Sequence, residues 1–336
     1  MVAYTARRLI AAVPVLLAAS LLCFVLIDIA GDPLADLRLA DPPVPEETIE
    51  AAERHLYRDR SVIERYVLWT TGINGRGDIG LLQGRFGPSV RGPAFDIGEQ
   101  IRDRFLVTLR LVVIALVMAI GLAVLTGVFS AMRQYSTVDY LLTFIGFLCL
   151  AMPTFWLAAL IKEGGVWVNQ QVGHHIFYTI GAASADTRAF TAWESFTDAA
   201  AHLFLPTMAL MLTGYAQLSR YQRTSMLEVL DSDYIRLARA KGLRNGIVMR
   251  RHALRTALIP MVTLSALLVA GTIDGAILIE RVFQWRGLGD FFVQAVSAND
   301  TYAVMGWLML SGAIVVVANL VADLLYAVLD PRIRYE

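Results

Sequence analysis

Six long apolar runs divide the 336-residue sequence, and they restrict the folds that the chain can adopt. A helix needs about 20 apolar residues to cross the roughly 30 Å hydrocarbon layer of a membrane, and each run approaches that length. The residues are 57% hydrophobic and only 17% charged, against about 25% charged in soluble domains. We therefore predict an all-α membrane protein whose six transmembrane helices lie at Leu9–Ile29, Phe105–Met132, Asp139–Ile161, Leu203–Ser219, Leu258–Glu280 and Val304–Leu329.

The basic residues between these runs predict the orientation of the chain. Short loops that are rich in Arg and Lys stay on the cytoplasmic side of a membrane. With six spans, one side receives the following basic residues: Arg7, Arg8, Arg133, Arg220, Arg223, Arg236, Arg239, Lys241, Arg244, Arg250, Arg251, Arg255, Arg332 and Arg334. The first run exceeds the roughly 7–15 residues of a signal-peptide core, so we interpret it as a retained helix. Both termini are thus predicted to be cytoplasmic.

The spans divide the chain into four parts. These are an N-terminal tail and first span (1–30), an extracytoplasmic region (31–104), a core with the other five spans (105–329) and a cytoplasmic tail (330–336). In the extracytoplasmic region, Glu46–Tyr66 carries apolar residues at helical spacing, which predicts one helix. Residues 162–202 are predicted to form a second outer loop.

Motifs for catalysis find little support in the sequence. A phosphate-binding loop of the type G-x-x-x-x-G-K needs Ser or Thr after its lysine, but Lys162 precedes Glu163 and Lys241 precedes Gly242. We therefore predict a chain that is not an enzyme and has no ATP site of its own. The run Gly287–Asp290 fits the G-x-G-D pattern of intramembrane aspartyl proteases, but Asp290 follows the fifth span and lacks the second carboxylate of that chemistry.

Metal and nucleic-acid sites are not indicated either. Cys23 and Cys149 have no neighbours at metal-ligand spacing. The formal net charge of zero does not favour nucleic acid as a partner.

The segment between the fourth and fifth spans is the most informative part of the chain. Asp231-Ser232-Asp233 offers side chains that cap the start of a helix, Tyr234–Lys241 is composed of good helix formers, and Gly242 is suited to end it. A basic loop that only sets the topology would explain the arginines here. It would not explain a capped helix with a glycine stop, which favours a docking element for a cytoplasmic partner.

Several motifs along the chain resemble one transporter family. Asp233–Leu243 reads D-Y-I-R-L-A-R-A-K-G-L, and Arg251–Pro260 reads R-H-A-L-R-T-A-L-I-P. These segments resemble the coupling region of ABC importer permeases, specifically the B-type transmembrane subunit of dipeptide and oligopeptide importers. Further matching segments are Arg7–Leu17, Ala30–Pro33, Gly77–Gly80, Met152–Trp156, Glu280–Phe283, Gly287–Gly289 and Leu324–Tyr335.

The resemblance implies a type I ABC importer permease fold that forms half of a translocation pore for peptides in a bacterial cytoplasmic membrane. It implies as partners a second homologous permease subunit, two ATPase subunits or one fused ATPase, an extracytoplasmic substrate-binding protein and membrane lipid. ATP and Mg would be bound by the ATPase partners, and no cofactor by this chain. The resemblance implies a coupling helix at about 233–242, and the motif assigns coupling to the ATPase to Asp233, Tyr234, Arg236, Leu237, Ala238, Arg239, Ala240, Lys241 and Gly242.

Two acidic residues in the fifth span, Asp274 and Glu280, are candidates for the translocation path, because intramembrane charges need a partner or water. Asp274 could contact a substrate amine or bind a neighbouring helix, and Gly271 and Gly275, which permit close helix contact, favour the second alternative. Relatives of this permease type also carry nickel, glutathione or oligosaccharides. A transporter driven by ions alone would need paired ionisable groups near the midplane, where only Asp274 lies.

Overall fold

The computed structural model describes residues 2–184 and 190–329. Five of its helices are long and apolar enough to cross a membrane, and a bent pair of helices makes six if it counts as one span. The predicted all-α membrane fold is therefore confirmed. The tail predicted at 330–336 lies outside the described residues.

The elements follow one another in this order: α1 (Val2–Ala30), α2 (Ala35–Arg38), α3 (Glu46–His55), α4 (Val62–Thr71), β1 (Ile79–Gly80), a 3₁₀ turn (Leu81–Gln83), β2 (Arg85–Phe86), α5 (Ile97–Met132), α6 (Thr137–Ala151), α7 (Thr154–Val172), α8 (Ala192–Leu230), α9 (Asp233–Ala240), α10 (Asn245–Ile247), a π-helical turn (Val248–Ala253), α11 (Leu254–Ala257), α12 (Ile259–Val282), α13 (Leu288–Ser297) and α14 (Thr301–Leu329). The two short strands pair antiparallel, with Ile79 opposite Phe86.

One compact unit takes in the chain up to Thr108 together with Arg286–Val316. Its core contains an aromatic cluster in which Phe24, Trp69 and Tyr302 are almost completely buried. The ring centroid of Phe24 lies 6.4 Å from that of Trp69 and 6.1 Å from that of Tyr302. Asp28 at the end of α1 accepts hydrogen bonds from Arg58 and Arg65 at 3.1 and 2.7 Å. Aromatic packing and ion pairs thus fix the residues after α1 against it.

The single helix predicted over Glu46–Tyr66 is wrong. The chain forms α3 and α4, and between them Tyr57 has a φ of 59°, a left-handed conformation that stops a helix. Ser61 then starts α4 with a capping box, in which its side chain accepts from the Glu64 N–H and Glu64 accepts from the Ser61 N–H. The helical spacing of apolar residues continues across this break. Apolar spacing therefore did not reveal that the backbone is interrupted.

A second compact unit comprises the described residues of Leu109–Trp285 together with residues 317–329. In it α8 packs against α6, α7 and α12. The third predicted span, Asp139–Ile161, is not one straight helix, because α6 ends at Ala151 and α7 starts at Thr154 with a bend of 110°. Pro153 cannot donate to the helical ladder and holds Met152 in an extended conformation, with ψ at 132°, which ends α6.

The fourth predicted span, Leu203–Ser219, is the middle of a much longer helix. Helix α8 begins with a capping box between Thr191 and Glu194 and continues to Leu230. Both ends of α8 carry polar residues, so hydropathy did not include them in the predicted span. The backbone hydrogen bonds of the helix nevertheless continue through them. Consequently the outer loop predicted at 162–202 is shorter than expected, since α7 extends to Val172.

Candidate functional site

Helix α9, between the fourth and fifth spans, has one buried and one exposed face. Ile235 is fully buried and Ala238 is 9% exposed, and both belong to an apolar cluster with Met226 of α8 and Val248 of the π-helical turn. On the other face, Tyr234 and Leu237 are 44% and 56% exposed. An amphipathic helix that buries one stripe and still presents large apolar side chains outward fits a surface that a partner covers.

The end of α9 is a Schellman motif, in which backbone donors satisfy the last carbonyls of a helix. The N–H of Gly242 donates to Arg239 O at 2.9 Å, and the N–H of Leu243 donates to Ala238 O at 3.4 Å. Gly242 has a φ of 76°, which L-residues with a side chain adopt at a cost. The expected stop at Gly242 is present, with α9 ending at Ala240 and Lys241 in the C-cap position.

The other coupling residues give α9 a mainly basic surface. Arg236, Arg239, Ala240 and Lys241 are exposed. Asp233 is fully exposed and lies 3.8 Å from Arg236, a contact that contributes little to stability in water. Ser232 occupies the N-cap position, but its hydroxyl donates to Val229 O at 2.5 Å, so the predicted side-chain cap does not form.

An ion pair with a buried carboxylate supports the helices next to α9, and the sequence did not identify it. Asp139 at the start of α6 is 2% exposed and accepts hydrogen bonds from Arg223 Nε and Nη2 at 2.8 and 2.7 Å. Ser130 of α5 donates to the same carboxylate, and the Tyr135 N–H donates at 2.9 Å. An acid at the edge of an apolar run was a visible signal that it needs a partner. Nothing in the spacing indicated which of the many arginines of the chain that partner is.

The two acids proposed for the translocation path do not come together. Asp274 is exposed and makes no hydrogen bond or ion pair within residues 2–184 and 190–329, whereas Glu280 is fully buried. They are six residues apart on α12, which places them on different sides of the helix.

A different set of residues is brought together by α8 and α12, with Thr154 at the start of α7. They line a cavity of about 390 Å³, which we call the α8–α12 groove. Its polar lining consists of Thr154, Thr213, Gln217, Tyr221 and Thr272. Three glycines, Gly214, Gly271 and Gly275, and four leucines complete it. Neither Asp274 nor Glu280 is among the lining residues.

Comparison with known proteins identifies the family. A profile described as "Binding-protein-dependent transport system inner membrane component" matches residues 123–335, about two thirds of the chain. The chain belongs to this family.

Relatives of this transport component match it over the whole length. It is 39% identical to the oligopeptide transport system permease protein OppB of Mycobacterium tuberculosis (strain H37Rv) over 334 residues, covering 99% of each chain. It is 35% identical to the oligopeptide transport system permease protein AppB of Bacillus subtilis (strain 168) over 337 residues, covering all of both. It is 32% identical to the dipeptide transport system permease protein DppB of Escherichia coli (strain K12) over 348 residues, again covering all of both.

One solved structure has the same fold. The methionine ABC transporter MetNI in an inward-facing conformation aligns with a TM-score of 0.51 and 15% identity, covering 68% of this chain and 96% of that chain. At this identity the match supports the type I permease fold, and the expected resemblance to ABC importer permeases is confirmed by the family.

Proposed function

We propose that this transport component is the transmembrane permease subunit of an ATP-driven importer for di- or oligopeptides. The observation that carries the proposal is the similarity over the full length to relatives named as oligopeptide and dipeptide permeases. In this proposal the chain forms half of a translocation pore, and a second homologous permease subunit forms the other half.

The exposed face of α9 is the proposed docking site for the ATPase partners. The residues assigned to coupling, Asp233, Tyr234, Arg236, Leu237, Ala238, Arg239, Ala240, Lys241 and Gly242, lie on or directly after this helix. Ala238 acts from the buried side by seating the helix on its apolar cluster. Closure of two ATPase subunits, or of one fused ATPase, would move α9 as a rigid element and rock the spans on either side of it.

The remaining assignments follow from the same proposal. The chain lies in a bacterial cytoplasmic membrane with both termini and α9 on the cytoplasmic side. ATP and Mg are bound by the ATPase partners, and an extracytoplasmic substrate-binding protein delivers the peptide.

Reconstitution tests the proposal. The chain is co-expressed with a permease, an ATPase and a binding protein of a peptide importer from the same genome, purified through a tag on this chain, and placed in liposomes. We expect the ATPase and second permease to co-purify and a labelled tripeptide to accumulate only with ATP and the binding protein. If the liposomes accumulate nickel, glutathione or an oligosaccharide but no peptide, the proposed substrate is wrong. If the chain purifies without an ATPase, its assignment as a subunit of an ATP-driven importer is wrong.

A further inference from the structure

The α8–α12 groove carries no charged side chain in its lining. Thr213 and Gln217 project from α8, and Thr272 projects from α12. The nearest arginine on α8, Arg220, lies over the ring of Phe147 at 5.1 Å and does not line the groove. An exposed amide such as that of Gln217 is costly in contact with lipid tails, so this face is suited to water or to another polar surface.

Glycine keeps the groove open. A Cβ at Gly271 would meet no heavy atom within 4 Å in the described part of the chain, whereas a Cβ at Gly275 would lie 3.3 Å from Leu210. Gly275 thus allows α8 and α12 to pack closely, and Gly271 leaves space. The cavity of about 390 Å³ falls within the range of about 300–1,000 Å³ that is typical of small-molecule sites.

The hydrogen-bonding groups of the groove are those that a peptide main chain requires. The hydroxyls of Thr213 and Thr272 donate to the carbonyls of Leu210 and Leu268, both at 2.7 Å, so their oxygens are left to accept from a ligand. The amide of Gln217 can donate and accept. Main-chain N–H and C=O groups are neutral and common to all peptides, whereas a charged lining would favour some side chains over others.

Helix α8 connects the groove to α9. The last groove residue on α8 is Tyr221. The helix continues for nine more residues to Leu230, and α9 begins at Asp233. The α12 wall of the groove faces α8 with Leu264, Leu268, Gly271 and Gly275, which share one helical face. Movement of α9 would therefore change the two walls that define the opening.

We propose that the α8–α12 groove is this chain's part of the translocation path and that it contacts the peptide main chain through neutral hydrogen-bonding groups. The inference rests on the proposed peptide importer. Asp274 is not among the residues that line the groove and is not part of the proposed path.

Cysteine accessibility in the complete transporter tests the inference. Cys23 and Cys149 are replaced by serine, and single cysteines are introduced as Gln217→Cys and Thr272→Cys. The matched control is Leu125→Cys at an apolar position on α5 that is 70% exposed. We expect a charged, water-soluble thiol reagent to modify both groove cysteines, to block uptake, and to react several-fold more slowly when a tripeptide and the binding protein are present. The control cysteine should not react.

A charge introduced into the groove gives a second measurement. Gln217→Glu should lower uptake of an acidic tripeptide about tenfold relative to a neutral one, because like charges meet in a region of low dielectric. Gln217→Lys should reverse this preference. Uptake is measured at saturating binding protein, so that delivery does not limit the rate.

The outcomes separate the inference from the proposed function. If peptide uptake is normal but the groove cysteines are unreactive, or react at a rate that peptide does not change, the groove is not part of the translocation path. The proposed importer would stand, and the result would indicate that a helix of the second permease or lipid fills the groove. Absence of peptide uptake by the unmodified transporter would overturn the proposed function, and the peptide path with it.

Discussion

At the scale of single residues, Gly242 and Gly173 offer a direct comparison. Both end a helix with φ values of 76° and 78°, and a Cβ at either position would meet no atom within 4 Å of the described chain. The intrinsic cost of a side chain is therefore similar at the two sites, roughly 1–2 kcal/mol for the left-handed conformation. What differs is the proposed environment, since only Gly242 lies beside the ATPase docking face.

We expect Gly242→Asp to insert into the membrane normally and to reduce peptide uptake and peptide-stimulated ATP hydrolysis to background. The added carboxylate would project from the docking face into the contact with the ATPase. Gly173→Asp should retain both activities, with a similar small loss of stability. The measurements are ATP hydrolysis and uptake in proteoliposomes; equal losses in the two variants would contradict a docking role.

Asp300 is a second informative residue, because it is a buried carboxyl outside the spans. It is 1% exposed and accepts hydrogen bonds from Ser89 Oγ and from the N–H groups of Val90 and Ala303. Burial raises the pKa of this carboxyl above its ordinary value.

A raised pKa in the folded state means that the folded chain binds this proton more tightly than the unfolded chain does. The free energy of unfolding therefore falls as pH rises from about 4 through the folded-state pKa. We expect the thermal midpoint of the wild-type chain in detergent to decline over this range relative to that of Asp300→Asn, which cannot titrate. Parallel curves from pH 4 to 7 would show that Asp300 does not have the raised pKa.

At the scale of elements, the position of α9 depends on contacts among helices that are distant in sequence. The Asp139–Arg223 ion pair joins α6 to α8, and Ser130 adds α5. Removing Arg223 would leave the buried Asp139 carboxylate without compensation, which costs about 3–5 kcal/mol for a buried charge. Removing Asp139 costs less, because the Arg223 side chain is 26% exposed and keeps part of its hydration. Arg223 lies seven residues before the end of α8 at Leu230. The pair therefore stabilises the helices through which a movement of α9 would reach the spans.

We therefore expect Asp139→Asn and Arg223→Gln each to lower stability and to raise the number of ATP molecules hydrolysed per peptide carried. Because the partners act together, the double variant should lose at least about 1 kcal/mol less than the sum of the single losses. The check is a double-mutant cycle on the free energy of unfolding, with the ATP-to-peptide ratio as second readout. Additive losses with an unchanged ratio would reduce the pair to an ordinary stabilising contact.

The same elements show how far sequence reasoning reaches. Hydropathy located the spans, and the capping and glycine signals placed the predicted coupling helix, 233–242, within two residues of α9. The bend at Pro153 and the break at Tyr57 were missed, because apolar spacing reports which residues are buried and not whether the backbone stays straight. The Asp139–Arg223 pair and the α8–α12 groove were missed because both depend on which helices become neighbours.

At the scale of the whole molecule, the chain presents surface that other subunits are expected to cover. Asp274 is exposed near the middle of α12 and has no partner among the described residues of its own chain. A carboxylate in this position is costly in lipid, so in the assembled transporter it must meet water or a polar group. The uncharged groove does not include it, which favours a bond to the second permease subunit.

We accordingly expect Asp274→Asn to leave the preference between tripeptides with free and blocked N-termini unchanged and to weaken the pairing of the two permease subunits by about 1–2 kcal/mol. The preference is measured as the ratio of uptake rates in the complete transporter, and the pairing as the subunit dissociation midpoint in a detergent titration. Leu278→Ala, at a position on α12 that is 45% exposed, serves as a control for the loss of a side chain. A changed ratio with intact pairing would place Asp274 in contact with the peptide amine, and would then require the translocation path to extend beyond the neutral groove.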